Sequence, residues 1–344
     1  MYFKINELEN QFGGFKLGPV SLEMEKGEYL ALLGPTGCGK TSFMQSVAGI
    51  STKARGQILF NDHDISLLPV HKRKIGYVSQ TSDLFPHLTV SENIAFGLRY
   101  LGLSHQERKL RLEKYLEIFN LRKLAGQSAY TLSGGERKKT AIARSLIIQP
   151  QLLLLDEPLG MLDHNGRKEM LDILKMIHND LQTTTIHITH DRHEAWGVAQ
   201  VCAVMNNGRI LQSGSVAELF RKPETLFVAE FLGGRNIFKA TFKDYSVELP
   251  WGDIKLSHMP HIHNGWVIIR PERIRLVSGD NPHKAAGTVS ALHDFGEYLE
   301  LKIEINKDTV LTVHSSINRS NDIHAGKAVC LDWPEDSMHI ITRE

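Results

Sequence analysis

Over roughly the first 230 residues, short unbroken apolar runs alternate with segments whose apolar positions recur at helical spacing. The runs "YLALLG" (29–34), "IGYVSQ" (75–80), "LLLLDEP" (152–158) and "TTTIHITH" (183–190) are continuous rather than alternating. This pattern predicts strands buried on both faces, as in a parallel sheet. "KTSFMQSVAGI" (40–50) follows the first run as a helix, and the alternation is an α/β signature. Between about residues 87 and 145 the texture changes. Leu112, Tyr115, Leu116 and Phe119 share one helical face, with Lys and Arg around them and no strand between. A helical subdomain inserted into the α/β core is predicted there. After "LFVAEFLGGRN" (226–236) the period becomes two, in "GWVIIRPERIRLV", "EYLELKIEI", "TVLTVHSS" and "KAVCLDW", each bounded by turn residues. Residues 236–344 are therefore expected to form a small all-β barrel or sandwich, separate from a domain spanning 1–233.

Composition narrows the partners. Forty basic and thirty-nine acidic residues leave a net charge of +1, which provides no electrostatic footprint for nucleic acid or an anionic membrane surface. No stretch reaches 18 apolar residues, and "MYFKINELEN" lacks a basic region followed by an apolar core, so neither a span nor a leader is expected. The chain is read as cytoplasmic, with membrane attachment only through another protein. Cys38, Cys202 and Cys330 are far apart and unpatterned, which suggests a reducing compartment and no metal site.

"GPTGCGKT" fits the phosphate-loop pattern G-x-x-x-x-G-K-[ST] and lies between a predicted strand and a predicted helix. Gly34, Pro35, Thr36, Gly37, Cys38 and Gly39 are expected to turn backbone N–H groups toward phosphate oxygens, at the positive end of the helix that follows. Lys40 reaches the β- and γ-phosphates, Thr41 offers a hydroxyl to Mg²⁺, and Ser42 adds a further polar contact. ATP and Mg²⁺ are the implied ligands. Asp156, at the carboxyl end of "LLLLDEP", is read as a Mg²⁺ ligand with Thr41 and Gln80, and Glu157 as the group that polarises the attacking water. Gln80 and His190 end their strands where they can sense the γ-phosphate and that water. Phe12, in "NQFGGF", is a candidate to stack on adenine. His178, His187, His193, His261 and His263 form no convincing ligand set.

"YTLSGGERKKTAIARSL" (130–146) places two glycines at the mouth of a helix, where each costs about 1 kcal/mol relative to alanine. With the helix taken to begin near Glu136, Ser133, Gly134 and Gly135 would expose a second set of N–H groups and a hydroxyl to phosphate. A chain with its own phosphate loop needs no second one. The economical reading is that this surface faces the nucleotide held by another copy.

The ordered set "GPTGCGKT", Gln80, "LSGGE", "LLLLDEP", Asp163 and "THD" resembles the nucleotide-binding subunit of an ATP-binding cassette transporter over roughly residues 1–233. The resemblance implies a head-to-tail dimer with two ATP molecules, each held between one copy's phosphate loop and the other's Ser133, Gly134, Gly135 and Glu136. It makes Phe12 the adenine-stacking aromatic, Glu157 the catalytic carboxylate, His190 the switch histidine, and Asp163 part of the loop crossing the interface. It also implies that residues 80–98, with Leu84, Phe85 and Leu88 exposed, receive a short helix from a membrane permease, so that the chain sits peripherally at the cytoplasmic face. Glu136, Arg137, Gly160 and Met161 depart from the usual family residues without removing a required group.

From Asn236 onward, "VIIRPERI" and "GKAVCLDWPEDSMHII" resemble the TOBE-type β domain of importer subunits for oxyanions, polyamines, sugars and ferric iron. The brevity of that tail and the wording of "KRKIGYVSQTSDLFPHLTV" (72–90) look closest to molybdate or tungstate importers, with sulfate, ferric iron and polyamine importers as alternatives and a solute-binding protein as an indirect partner. Lys284, Ser290 and Ser315 are the polar residues available to an oxyanion. A soluble cassette ATPase acting on ribosomes or DNA is the rival reading, but such chains usually carry two cassettes or a long coiled-coil insertion.

Overall fold

Phe3, Ile5, Leu8 and Asn10 are buried in the first strand, β1 (Phe3–Phe12), while its other positions stay partly or fully exposed. This is the period-two alternation of a strand with one wet face, shifted by one residue at an irregularity between Ile5 and Leu8. It pairs antiparallel with β2 (Phe15–Met24), the pairing that closes the N-terminal hairpin at Phe12 and Phe15. β3 (Tyr29–Leu33) then starts a different sheet, while β4 (Arg55–Phe60) and β5 (His63–Asp64) return to the first, in the order β2-β1-β4-β5. The alternating strand–helix reading of the sequence did not anticipate this antiparallel layer. The structure is a computed structural model and describes residues 1–51, 53–160, 162–258, 262–277, 284–316 and 323–342. The chain divides into two compact units, Met1–Val216 and Ala217–Glu344.

The four continuous apolar runs do form one parallel sheet. It takes in β3, β6 (Ile75–Val78), β7 (Leu152–Asp156), β8 (Thr184–Thr189) and β9 (Val201–Asn206), with β10 (Arg209–Ser215) antiparallel at the edge, in the order β10-β9-β3-β8-β7-β6. Every residue of β3, β7 and β8 is buried. Each fully buried Leu or Ile side chain there is worth about 1.5–3 kcal/mol. The register sets Leu33 beside Thr189, Ile188 beside Asp156, and Leu155 beside Val78. The carboxyl ends of β3, β8, β7 and β6 are thereby brought to one edge of the sheet, where open α/β sheets bind ligands.

Helix α1 (Lys40–Ala48) leaves β3 through the glycine loop. Between β6 and β7 come α2 (Val90–Ala95), α3 (His105–Ile118) and α4 (Gly134–Leu146), and after β7 come α5 (His164–Leu181) and α6 (Arg192–Val198). Tyr115, Leu116 and Phe119 are buried at the end of α3, as their spacing requires. Thr89–Glu92, Ser104–Glu107 and Ser133–Glu136 each close a reciprocal capping box, which starts α2, α3 and α4.

From Ile237 onward the second unit is a small, curled all-β fold. Among the described residues one sheet runs β13-β12-β11-β14-β20, from β11 (Ile237–Lys243), β12 (Ser246–Leu249), β13 (Gly252–Lys255), β14 (Asn264–Ile269) and β20 (Met338–Ile341). The other runs β15-β19-β16-β17-β18, from β15 (Arg275–Val277), β16 (Ala285–Asp294), β17 (Leu299–Asn306), β18 (Thr309–Ser315) and β19 (Ala328–Asp332). Phe242 and Val267 from the first sheet share one core with Leu301, Ile303, Leu311 and Val313 from the second, around a fully buried Trp333.

Asn236 bridges the two sheets. Its Nδ2 donates to the Ile269 and Thr312 carbonyls at 3.1 and 2.8 Å, and its Oδ1 accepts from the Thr312 N–H at 2.7 Å. Asn236→Ala leaves these buried backbone groups unpaired and is expected to destabilise the second unit by about 3 kcal/mol. Tryptophan fluorescence during urea titration reads this directly, because three of the four tryptophans, Trp251, Trp266 and Trp333, lie in that unit. An unshifted midpoint would contradict the bridging role.

Candidate functional site

Immediately after β3, residues 34–41 turn the chain from strand to helix. Gly37 and Gly39 make the turn at φ 81° and 107°, in the left-handed region that favours glycine. Lys40 is buried, and its Nζ folds back to donate to the Gly34 and Pro35 carbonyls at 2.8 and 2.9 Å. Its third contact, to Cys38 Sγ at 3.9 Å, is a long bond to a weak acceptor that an anionic oxygen can replace. Thr36, Gly37 and Thr41 are exposed at the mouth of the loop, while Ser42 is half-buried and gives its carbonyl to the Ser46 hydroxyl. Cys38 is buried in the first core, its N–H spent on the Pro35 carbonyl at 3.3 Å and its carbonyl on Gly208 N–H. Burial also pushes its thiol up, so Cys38 acts as packing.

The start of α1 fits a phosphate. Its N-cap, Gly39, has no side chain to cap the helix, and no acidic residue occupies the first turn. By contrast α2, α3 and α4 each satisfy their first N–H groups with a Ser or Thr hydroxyl and a Glu carboxylate. Free N–H donors at a positive helix end are suited to an anion.

Beside the loop, the Thr41 hydroxyl lies near the carboxylate of Asp156, the last residue of β7, which accepts from the Tyr77 hydroxyl at 3.5 Å. Asp156 is 1% exposed. Burial pushes its carboxyl above the ordinary range, and the Thr41 hydroxyl, Tyr77 and Lys40 oppose that shift. A hydroxyl and a lone carboxylate fit Mg²⁺, a hard cation that takes few protein ligands and completes its shell with phosphate oxygens and water.

Glu157 holds a left-handed backbone at φ 47°, a conformation costing a non-glycine residue about 1–2 kcal/mol. Its neighbours fix it there. The Glu157 N–H donates to the Ile188 carbonyl at 3.1 Å, Gln80 Nε2 donates to Oε2 at 2.9 Å, and His190 Nδ1 lies 3.6 Å from Oε1. The strand ends thus bring Gln80, Glu157 and His190 together, as the sequence motifs suggested.

Phe12 sits half-buried at the hairpin end, packed against the first core. Phe15, opposite it, escaped the sequence analysis. A Cβ on Gly39 would come within 2.6 Å of the Phe15 ring and one on Gly208 within 3.3 Å, so this ring is wedged between the phosphate loop and the turn after β9. Only its place in the hairpin register signals that.

The double glycine differs from expectation in one respect. Helix α4 begins at Gly134, not near Glu136, because Ser133 is the N-cap and Glu136 completes a capping box. The spacing S-x-x-E was legible as such. The Ser133 hydroxyl and N–H both donate to Glu136 Oε2, each at 2.8 Å. Gly134 has no positive φ, and a Cβ there would meet nothing within 4 Å, while one on Gly135 would touch only Leu162 at 3.3 Å. Neither backbone strain nor this chain's own packing explains Gly134.

Other expectations distribute as follows. Asp163 caps α5 by accepting from the Gly166 N–H, and Met161 lies outside the described residues. Leu84, Phe85 and Leu88 are half-buried rather than exposed, because Leu84 packs into the second core and Phe85 is held between Phe96, 4.4 Å away, and the Arg144 guanidinium. His178 and His187 are buried against Tyr29, His263 is exposed, and His261 lies outside the described residues. Lys284 is tied to Asp332 and the Trp333 carbonyl, and Ser290 to the Lys302 carbonyl, so no anion cradle is built from them.

Comparison with known proteins agrees with this geometry. Residues 17–160 match the family model described as ABC transporter, and residues 267–341 match that of the TOBE domain. The spermidine/putrescine import ATP-binding protein PotA of Clostridium acetobutylicum is 35% identical, over 99% of this chain and 96% of its own length. The sulfate/thiosulfate import ATP-binding protein CysA of Acinetobacter baylyi is 39% identical over 80% of each chain. Among solved structures, cbiO1 of Clostridium perfringens, part of the ABC transporter complex cbiONQ, is 31% identical with a TM-score of 0.58, covering 64% of this chain and 90% of its own. The chain belongs to the ABC transporter family, as an ATP-binding subunit with a C-terminal TOBE domain.

Proposed function

We propose that two copies of this chain close head to tail on two ATP molecules and hydrolyse them to drive import of a small polyamine through a separate membrane permease. Gly134 carries the dimer reading. A glycine free of positive φ, with open space where its side chain would stand, is explained by close approach of something outside its own chain. A nucleotide held by the other copy's phosphate loop is that partner.

Within one site, Lys40 turns its weakest bond, the one to Cys38 Sγ, over to the terminal phosphates, and the α1 N-terminus offers backbone N–H groups. Thr41 and Asp156 would hold Mg²⁺, which when bound neutralises charge on the phosphates. Glu157 takes the proton of the attacking water, and Gln80 and His190 keep its carboxylate aimed. Phe12 stacks on the adenine. From the other copy, Ser133 exchanges its Glu136 acceptor for a phosphate oxygen, and Gly134 and Gly135 let the helix end approach. Asp163 lies in the loop at this interface. Residues 80–98, around the Phe85–Phe96 pair, take the permease helix, and the chain sits peripherally at the cytoplasmic face of the membrane. No helix among the described residues is long and apolar enough to cross one.

The relatives turn the cargo preference away from molybdate or tungstate. Proteins named for spermidine/putrescine import align along nearly the whole of this chain, 99% and 97% in two cases. Sulfate or thiosulfate is the second reading, supported by the 39% identity to CysA.

Glu157→Gln is expected to bind ATP without turning it over, so that light scattering with ATP and Mg²⁺ shows twice the mass of the nucleotide-free chain. A monomer under those conditions would contradict the sandwich. Purification of the tagged chain from its native membranes in mild detergent is expected to bring down a multi-span permease and a solute-binding protein. Titration of that binding protein should show tight binding of spermidine or putrescine; preference for sulfate would replace the polyamine reading, and soluble partners alone would overturn import.

A further inference from the structure

Lys138 lies in the second turn of α4, five residues beyond Ser133, and is 5% exposed. A lysine is rarely buried unless something holds its charge. Its Nζ donates to the backbone carbonyl of Glu157 at 2.5 Å. Burial pulls its pKa down, and the carboxylates of Glu157, Asp156 and Glu194 push it back up. The Glu157 carbonyl also accepts from the Gly160 N–H at 3.1 Å. Two donors thus clamp the carbonyl of the residue whose backbone sits at φ 47°.

A left-handed glutamate persists only where its surroundings over-determine it. Its side chain is held from one side by Gln80 and approached from the other by His190, but those contacts aim the carboxylate without fixing the peptide that carries it. The peptide is fixed by the Ile188 carbonyl, by Gly160 and by Lys138. Of these, Lys138 alone reaches in from the helix that starts at Ser133 and Gly134.

We propose that Lys138 is a positioning residue for hydrolysis: its ammonium, bound to the Glu157 carbonyl, sets the backbone that aims the Glu157 carboxylate and ties it to helix α4. Lys138 acts through Glu157, whose carbonyl its ammonium binds. The proposal rests on the reading of Glu157 as the group that activates water.

The test uses the purified full chain, with steady-state ATP hydrolysis and titration of a fluorescent ATP analogue. Misplacing a reacting group by about 1 Å costs on the order of 100-fold in rate. Lys138→Met, which keeps the stem but removes the donor, is expected to lower kcat by about 10- to 100-fold while nucleotide affinity stays within about twofold. Lys138→Arg, which keeps charge and donors, should recover most of that loss. In a Glu157→Gln background, Lys138→Met should produce no further loss. If Lys138→Met does not purify as a folded chain, Lys138→Gln, whose donor falls short of the carbonyl, replaces it in the comparison with Lys138→Arg. A kcat within twofold of the parent, or equal losses of kcat and nucleotide affinity, would overturn the assignment. Full hydrolysis by Glu157→Gln alone would instead overturn the reading of Glu157.

Discussion

The register of four parallel strands is the constraint on which the site depends. β3, β8 and β7 are buried on both faces and the edge strand β6 on one, and their pairing leaves no freedom to slide. A slip of one residue would turn every side chain to the opposite face. With the register held, the phosphate loop, His190, the Asp156–Glu157 pair and Gln80 emerge side by side from strands drawn from distant parts of the sequence. The apolar interior of the sheet therefore sets polar geometry at its edge.

The polar groups at that edge contrast in a way that indicates their use. Helix α1 begins without a cap, although the chain caps α2, α3 and α4 with reciprocal hydroxyl–carboxylate pairs. Leaving donors open at this helix start suits a ligand that supplies the acceptors. Helix α4 presents the complementary case, closed by Glu136 in the free chain yet bare at Gly134. In the proposed dimer the two starts would meet two faces of one nucleotide, the first from one copy and the second from another.

Much of this was legible from residue order. The four apolar runs, the phosphate loop, the acidic pair after β7 and the period-two tail all announce local structure, because each is decided by neighbours in the chain. The antiparallel β1-β2-β4-β5 layer was not legible, because the alternation in β1 breaks between Ile5 and Leu8, where the strand is irregular. Helix α4 starts two residues before Glu136, because the Ser133–Glu136 box carries both glycines inside the helix. Phe15 against Gly39, Asn236 between two sheets and Lys138 on the Glu157 carbonyl depend on tertiary approach, which spacing alone does not encode. The cargo is also beyond these residues, since neither the β domain's Lys284 nor Ser290 is free to hold an anion.

The most direct measurement of the central claim is amide hydrogen exchange on the Glu157→Gln full chain, free, with ADP and with ATP, each with Mg²⁺. The account expects ADP to protect residues 34–42, and ATP to protect both that loop and residues 133–137, because only ATP closes a second copy over the first. Protection of the phosphate loop alone in the ATP state, with the start of α4 exchanging as in the free chain, would contradict it.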